Sequence, residues 1–249
     1  MAGLPEGRVR FVEETGSTNA DVLSLAEAGA PEWTTVVAAH QTSGRGRLGR
    51  SWASAPGASL LVSVLLRPPE DPRLAPLISL AAGVSTVMAC ALAGRVEARC
   101  KWPNDVVSRG RKLAGILAEA RASGARMTHV VVGLGLNVTQ RPEDLPEDLR
   151  HTATSVATEG GVADHALLLA EYLGMLRLHA RVEDAEVRGS VMELYRRSSE
   201  TIGRPVRATT TAGDTVEGVA KDVGELGELL VETAVGVRAV AFGEVTSLR

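Results

Sequence analysis

The chain has 249 residues, a net charge of -3, and 45% hydrophobic against 23% charged residues, a balance that excludes both a disordered chain and a general polyanion binder. The N-terminus lacks the basic and apolar regions of a signal peptide. No apolar run reaches about 18–20 residues without a charge or a glycine, so a cytoplasmic protein off the membrane is expected.

Residues 9–13 alternate as a short strand, and Thr15-Gly-Ser-Thr-Asn19 offers N-cap candidates for a helix over 20–28 that ends at Gly29. Residues 34–39 and 59–66 read as buried strands flanking a glycine- and arginine-rich loop. A long helix is predicted over 74–92 and a strand over 96–101, stopped by Trp102-Pro103. Residues 106–107 and 112–120 form a predicted hairpin about the turn at 108–110, followed by a strand over 127–136. The polar, proline-containing stretch 139–149 is expected to be a mobile loop, and helices are expected over 164–182 and 185–197. Beyond Thr201, four strand-like pieces, at 205–211, 214–223, 227–234 and 237–245, predict a small β-barrel docked on the larger domain.

Cys90 and Cys100 are isolated and form no CxxC, and the five histidines fit no metal-ligand spacing, so reduced thiols and no protein metal site are expected. Gly44-Arg-Gly-Arg-Leu-Gly49 matches GxGxxG, but it runs into residues 51–57, which are no helix, so it is not a dinucleotide fingerprint. What remains is a backbone able to wrap a ligand, with Arg45, Arg47 and Arg50 to grip anionic oxygens. Only three of 27 basic residues are lysines, Lys101, Lys112 and Lys221, and the chain has only three asparagines, Asn19, Asn104 and Asn137. All three asparagines and two of the lysines fall in a few short segments, which marks those segments as candidate sites.

Those segments are Ser-Thr-Asn at 17–19, Lys-Trp-Pro-Asn-Asp at 101–105, RKLAGILAE at 111–119 and GLGLNV at 133–138, to which the GRGRxGRxW pattern at 44–52 and GEVTSLR at 243–249 are added. In chain order, over nearly the whole chain, they resemble biotin protein ligases. The resemblance implies an α+β fold: a mixed β-sheet with packed helices like that of class II aminoacyl-tRNA synthetases over residues 1–200, and a small C-terminal SH3-like β-barrel over 201–249. It implies an ATP-dependent ligase that activates biotin as biotinyl-5'-AMP, with Mg2+ accompanying ATP. Biotin then passes to a lysine of a biotin carboxyl carrier protein of acetyl-CoA carboxylase or a related carboxylase.

By the same resemblance Ser17, Thr18, Asn19 and Gln41 meet the polar head of biotin, and Gly44, Arg45, Gly46, Arg47, Lys112 and Gly115 complete that subsite. Arg47, Arg50, Trp52, Lys101, Asn104, Lys112 and Asn137 serve ATP, Trp52 and Asn137 at the adenine. Lys112, Asp105, Arg47 and Arg45 carry the catalysis, with Asp105 receiving the carrier amine. The resemblance implies a monomer or homodimer. The first strand begins near Val9, so no N-terminal helix-turn-helix and no DNA partner are expected. Leu48 stands where relatives often carry a basic residue. The competing readings are a lipoate- or octanoate-type ligase and a non-catalytic biotin-binding scaffold. Trp102 is expected to pack, and Lys221 to face solvent.

Overall fold

The computed structural model describes residues 8–68, 71–124, 126–210, 213–241 and 243–247; the side chains of 244, 246 and 247 and the end of the GEVTSLR segment lie outside that description. Seven strands form a mixed sheet: β1 (Val9–Thr15), β2 (Thr35–Gln41), β3 (Ser59–Leu66), β4 (Arg99–Lys101), β5 (Asp105–Ser108), β6 (Arg111–Ser123) and β7 (Arg126–Asn137), in the order β1-β2-β3-β7-β6-β5-β4. Only β1 and β2 run parallel; the helix α1 (Thr18–Glu27) supplies their crossover.

Strand β3, SLLVSVLL, is buried along its length because both faces are covered. Its alternate residues Leu60, Val62, Val64 and Leu66 enter the main core with α2 (Ala75–Leu92), α3 (His165–His179) and α4 (Ala185–Ser198), whereas Leu65 meets Val22, Leu23 and Ala26 of α1 on the opposite face. Ser63 shares that second face and serves the N-terminus of α1, which explains a hydroxyl in the middle of an apolar strand.

Helices α3 and α4 open on Asp164 and Asp184, whose carboxylates accept backbone N–H bonds from Ala166 and Leu167, and from Glu186 and Val187. Helix α2 runs through Gly83 without a break. It is long and apolar enough to cross a membrane by composition, but here it packs as the core helix against α3, α4 and the sheet.

The remaining strands, β8 (Pro205–Thr210), β9 (Thr215–Val223), β10 (Leu229–Thr233), β11 (Gly236–Val240) and β12 (Gly243–Ser247), form an antiparallel sheet in the order β11-β10-β9-β8-β12. The predicted single strand over 237–245 is therefore two: β11 pairs with β10, and the chain then crosses to β8. Val206, Ala208, Ala220, Leu229 and Val231 join the same apolar cluster as Leu77 and Tyr195. Trp102 fastens the two sheets. Its backbone N–H donates to Thr201 Oγ1 at 3.0 Å and its indole Nε1 to the Gly227 carbonyl at 2.9 Å. Burying such a ring removes roughly 150–250 Å² from water, on the order of 4–6 kcal/mol, so the joint is a strong one.

Other departures from the predicted elements are local. The strand expected over 96–101 shortens to three residues behind Arg95, which adopts φ 52°. The stretch 139–149 contains two single 3-10 turns, Pro142–Asp144 and Glu147–Leu149, the first braced by Arg141 bonding Asp144 at 3.0 Å. Cys90 and Cys100 are free and buried, and desolvation pushes both thiols up to about 12, which keeps them protonated at neutral pH. Lys221 is exposed and pairs with Glu232 at 2.8 Å.

Candidate active site

The α1 face of the central sheet carries a cleft floored by cross-strand rows. Lys101, Asp105, Gly115, Gly135 and Leu61 are successive partners across β4, β5, β6, β7 and β3, and Leu117, Gly133 and Ser63 form the next row. Directly opposed residues share a face, so register alone brings a lysine, an aspartate and a glycine floor together. The glycines are required by close approach. A Cβ on Gly135 would come 2.5 Å from the Trp52 ring, and one on Gly133 would come 2.2 Å from Asn19 Oδ1.

Lys112 reaches this face through an irregularity. It stands three positions before Gly115, which in regular pleating would place it on the opposite side of the sheet. The register of β5 and β6 shifts between Val106 and Val107, so that Leu113 and Ala114 are both buried in the core and Lys112 turns to the cleft. The segment after the 139–149 stretch then clamps its backbone: the Lys112 N–H donates to the Thr152 carbonyl at 2.7 Å, and the Thr154 N–H donates to the Lys112 carbonyl at 2.8 Å. The ammonium lies 2.7 Å from Asp105 Oδ1 and 5.7 Å from the centre of the Trp52 ring.

The glycine-arginine loop is a tight hairpin. The Gly46 N–H donates to the Arg50 carbonyl, the Trp52 N–H donates to the Gly44 carbonyl, and Arg45 bridges to Ser51. Leu48, at φ 54°, and Gly49, at φ 75°, turn its tip. Gly44 itself is packed tightly, its Cβ direction blocked by the Trp52 carbonyl oxygen at 2.7 Å. Arg45, Gly46, Arg47, Arg50 and Trp52 all line the cleft, so with Lys101 and Lys112 five cations face a space whose one lining carboxylate, among the described residues, is Asp105. In a chain of net charge -3 this is a concentrated anion site.

At the other end of the cleft lies a polar pocket at the start of α1. Ser17 occupies the N-cap position but makes no side-chain capping bond, and its hydroxyl is left at the cleft wall. Gln41 Oε1 accepts from both the backbone N–H and the hydroxyl of Thr18, at 2.8 and 3.0 Å, which leaves its amide nitrogen as a donor.

Three predicted contacts have other duties. Asn19 lines the cleft, but its carboxamide is committed internally: Oδ1 accepts from Ser63 at 2.6 Å and Nδ2 donates to the Leu117 carbonyl and to Glu119. Asn104 donates to the Ile116 carbonyl at 2.7 Å and accepts from Arg47 at 3.2 Å, a bracket between β6 and the loop. Asn137 is not brought to the cleft. It is buried at the end of β7, donating to the Thr154 carbonyl at 2.9 Å and accepting from Ser59 at 3.3 Å, so it holds the segment that clamps Lys112.

The site also contains residues that lie inside the named segments without an assigned role: Gly133 and Gly135 on the floor, Leu117 beside them, Trp102 and Pro103 at one wall, and Val245 from the C-terminal sheet. The GLGLNV segment was the signal available for the two glycines, and GEVTSLR for Val245. Gly133→Ala is expected to cost about 1–3 kcal/mol in urea unfolding through overpacking, and adding Asn19→Gly is expected to recover part of that loss. An unchanged midpoint for the single variant would contradict the close approach.

The family model for the biotin/lipoate A/B protein ligase family matches residues 10–137, and that for the biotin protein ligase C-terminal domain matches 201–246. The chain is 40% identical over its full length to a biotin–[acetyl-CoA-carboxylase] ligase of Mycobacterium tuberculosis, covering 92% of that protein. It is 34% identical to the bifunctional ligase/repressor BirA of Bacillus subtilis, with 92% of this chain and 70% of that one aligned. Among solved structures it is similar to the biotin protein ligase from Aquifex aeolicus in complex with biotin and ATP, at a TM-score of 0.81 and 26% identity, over 97% of this chain and 98% of the other. With the family model matched over residues 10–137 and a relative 40% identical along the whole chain, the chain belongs to the biotin/lipoate A/B protein ligase family.

Proposed function

We propose that this chain is a biotin–[acetyl-CoA-carboxylase] ligase, and the observation that carries the reading is the Lys112–Asp105 pair, 2.7 Å apart, set between a polar pocket and a cluster of arginines. In the first step a carboxylate oxygen of biotin attacks the α-phosphorus of ATP, the bond to the β-phosphate oxygen breaks, and pyrophosphate leaves with its electron pair. Bringing the two anions to about 4 Å costs about 4 kcal/mol at an effective dielectric of 20. Lys112, Arg45 and Arg47 offset that repulsion without reorganising, because the sheet and the loop bonds hold them in place. In the second step the ε-amine of a carrier lysine attacks the acyl carbon of biotinyl-5'-AMP, AMP departs with the bonding electrons, and Asp105 accepts the amine proton.

Ser17, Thr18 and Gln41 suit the ureido head of biotin, whose carbonyl and two N–H groups need partners once buried. Gly44, Gly46 and Gly115 admit the ligand close to the backbone. Arg47, Arg50 and Lys101 face the polyphosphate, and Trp52 offers a ring for the adenine. Asn19 and Asn104 act by holding the head pocket and Arg47.

Magnesium enters as part of the Mg-ATP substrate. No cluster of three or more His, Cys, Asp or Glu side chains capable of holding a metal exists among the described residues, and one carboxylate beside incoming phosphates is the donor set that magnesium ordinarily accepts. We treat residues 1–200 as the catalytic domain and 201–249 as an SH3-like barrel that closes the cleft through Val245. We place the protein in the cytoplasm, where protonated thiols such as Cys90 and Cys100 persist, with a biotin carboxyl carrier protein as its partner.

Pyrophosphate–ATP isotope exchange with biotin, lipoate and octanoate in separate reactions tests the assignment. Exchange dependent on biotin supports it. Exchange driven by lipoate or octanoate would move the protein to the other branch of the family, and biotin binding without exchange would make it a scaffold.

A further inference from the structure

The loop that carries the arginines is fastened to β6 at two points. On one side Arg47 donates to Asn104, which is itself locked to the Ile116 backbone. On the other, Arg45 Nη2 donates to Glu119 Oε2 at 2.9 Å. Glu119 is no ordinary surface acid. Its side chain is 19% exposed, and the oxygen that receives Arg45 also accepts from Asn19 Nδ2 at 2.8 Å. Asn19 in turn receives the Ser63 hydroxyl, whose oxygen stands 2.7 Å from Thr18 Oγ1 and can accept its proton, and the Thr18 backbone N–H donates to Gln41. A continuous chain of hydrogen bonds therefore runs from the polar pocket at the start of α1, through one carboxylate, to the loop over the cleft. The acid lies outside the cleft lining and beneath the loop.

We propose that Glu119 is a positioning residue that ties the glycine-arginine loop to the head pocket, so that Arg45 stands where the acid substrate's carboxylate is activated. The inference rests on the ligase reading for its substrate. Arg45 has five N–H donors and spends one on Glu119, so the guanidinium can keep this anchor while presenting other donors to an anion. Charge-assisted bonds of this kind are the stronger class, and the anchor is oriented by a buried amide rather than by solvent.

The test compares Glu119→Ala, Glu119→Gln, Arg45→Ala and the Glu119→Ala/Arg45→Ala double variant in the full chain. Trypsin cleavage after Arg45, Arg47 and Arg50, followed by mass spectrometry, reports the loop; steady-state exchange kinetics report the substrate. Glu119→Ala is expected to accelerate loop cleavage and to raise KM for biotin, each by about tenfold, with a smaller change in kcat. Glu119→Gln, which keeps an acceptor, is expected to recover most of both. In the Arg45→Ala background, removing Glu119 is expected to add less than about twofold, since the acid acts through that arginine.

Cleavage and KM within about twofold of the unsubstituted chain in Glu119→Ala would overturn the inference, as would full additivity in the double variant. Cleavage of the ligand-free protein reads the anchor alone. An unsubstituted chain that binds no biotin by calorimetry would sink the ligase reading, and the anchor would still be decided by the cleavage rates.

Discussion

Lys112→Ala is expected to lower biotin-dependent pyrophosphate–ATP exchange by about 10²–10³-fold, the usual loss for one preorganised electrostatic group, with an unchanged far-ultraviolet circular dichroism spectrum. The magnitude follows from where the charge is needed. Carboxylate and α-phosphate must approach to bonding distance, and at that stage the repulsion between them exceeds the several kcal/mol of a 4 Å pair. Lys112 is the cation best placed to meet both. Its backbone is pinned by Thr152 and Thr154, its ammonium is held by Asp105, and its stem passes the Gly115 floor, where a Cβ would sit 3.3 Å from its Cε. Lys112→Arg is expected to restore little. A planar, delocalised guanidinium cannot act as the same compact charge beside Asp105. Exchange within about fivefold of the parent in either variant would remove Lys112 from the centre of the account.

Asp105→Ala is expected to separate the two half-reactions. Exchange should fall less than about tenfold, because Lys112 stays clamped by its backbone, whereas transfer of preformed biotinyl-5'-AMP to a carrier lysine should slow by about 10²–10⁴-fold with the proton acceptor gone. Single-turnover transfer, started by mixing enzyme-bound adenylate with the carrier domain, measures the second step alone. Equal losses in both steps would mean that Asp105 serves only to hold Lys112. Asp105→Asn distinguishes the cases further, since the amide keeps a hydrogen-bond acceptor for the ammonium but takes up no proton.

The sequence made the ligand chemistry legible because the scarce residues were informative. A chain that uses arginine for nearly all its positive charge still kept lysine at 101 and 112, and both face the cleft. Strand β3 was readable to the residue because its apolar run of eight residues, flanked by Gly57 and Pro68, is too short for a buried helix. The split of β11 from β12 was not, since the crossing to β8 is dictated by pairing partners distant in the chain. Nor was the bulge at Val106, which alone decides that Lys112 points into the cleft. The asparagines illustrate the limit most clearly. All three lie in the candidate segments, yet Asn19, Asn104 and Asn137 spend their carboxamides on protein partners. Residue type showed that a fixed amide was needed, and only the fold could say for whom. Glu119 closes the RKLAGILAE segment, but its partners are distant in the chain, so its role shows only where Arg45 and Asn19 converge on it.

The most direct test of the account is to mix the purified chain with biotin and Mg-ATP, without carrier, and identify the bound small molecule by mass spectrometry, then add a biotin carboxyl carrier domain. Biotinyl-5'-AMP is expected in the first stage and, in the second, a carrier heavier by one biotin less one water as AMP is released. Unmodified biotin and intact ATP after prolonged incubation, with both bound, would contradict it.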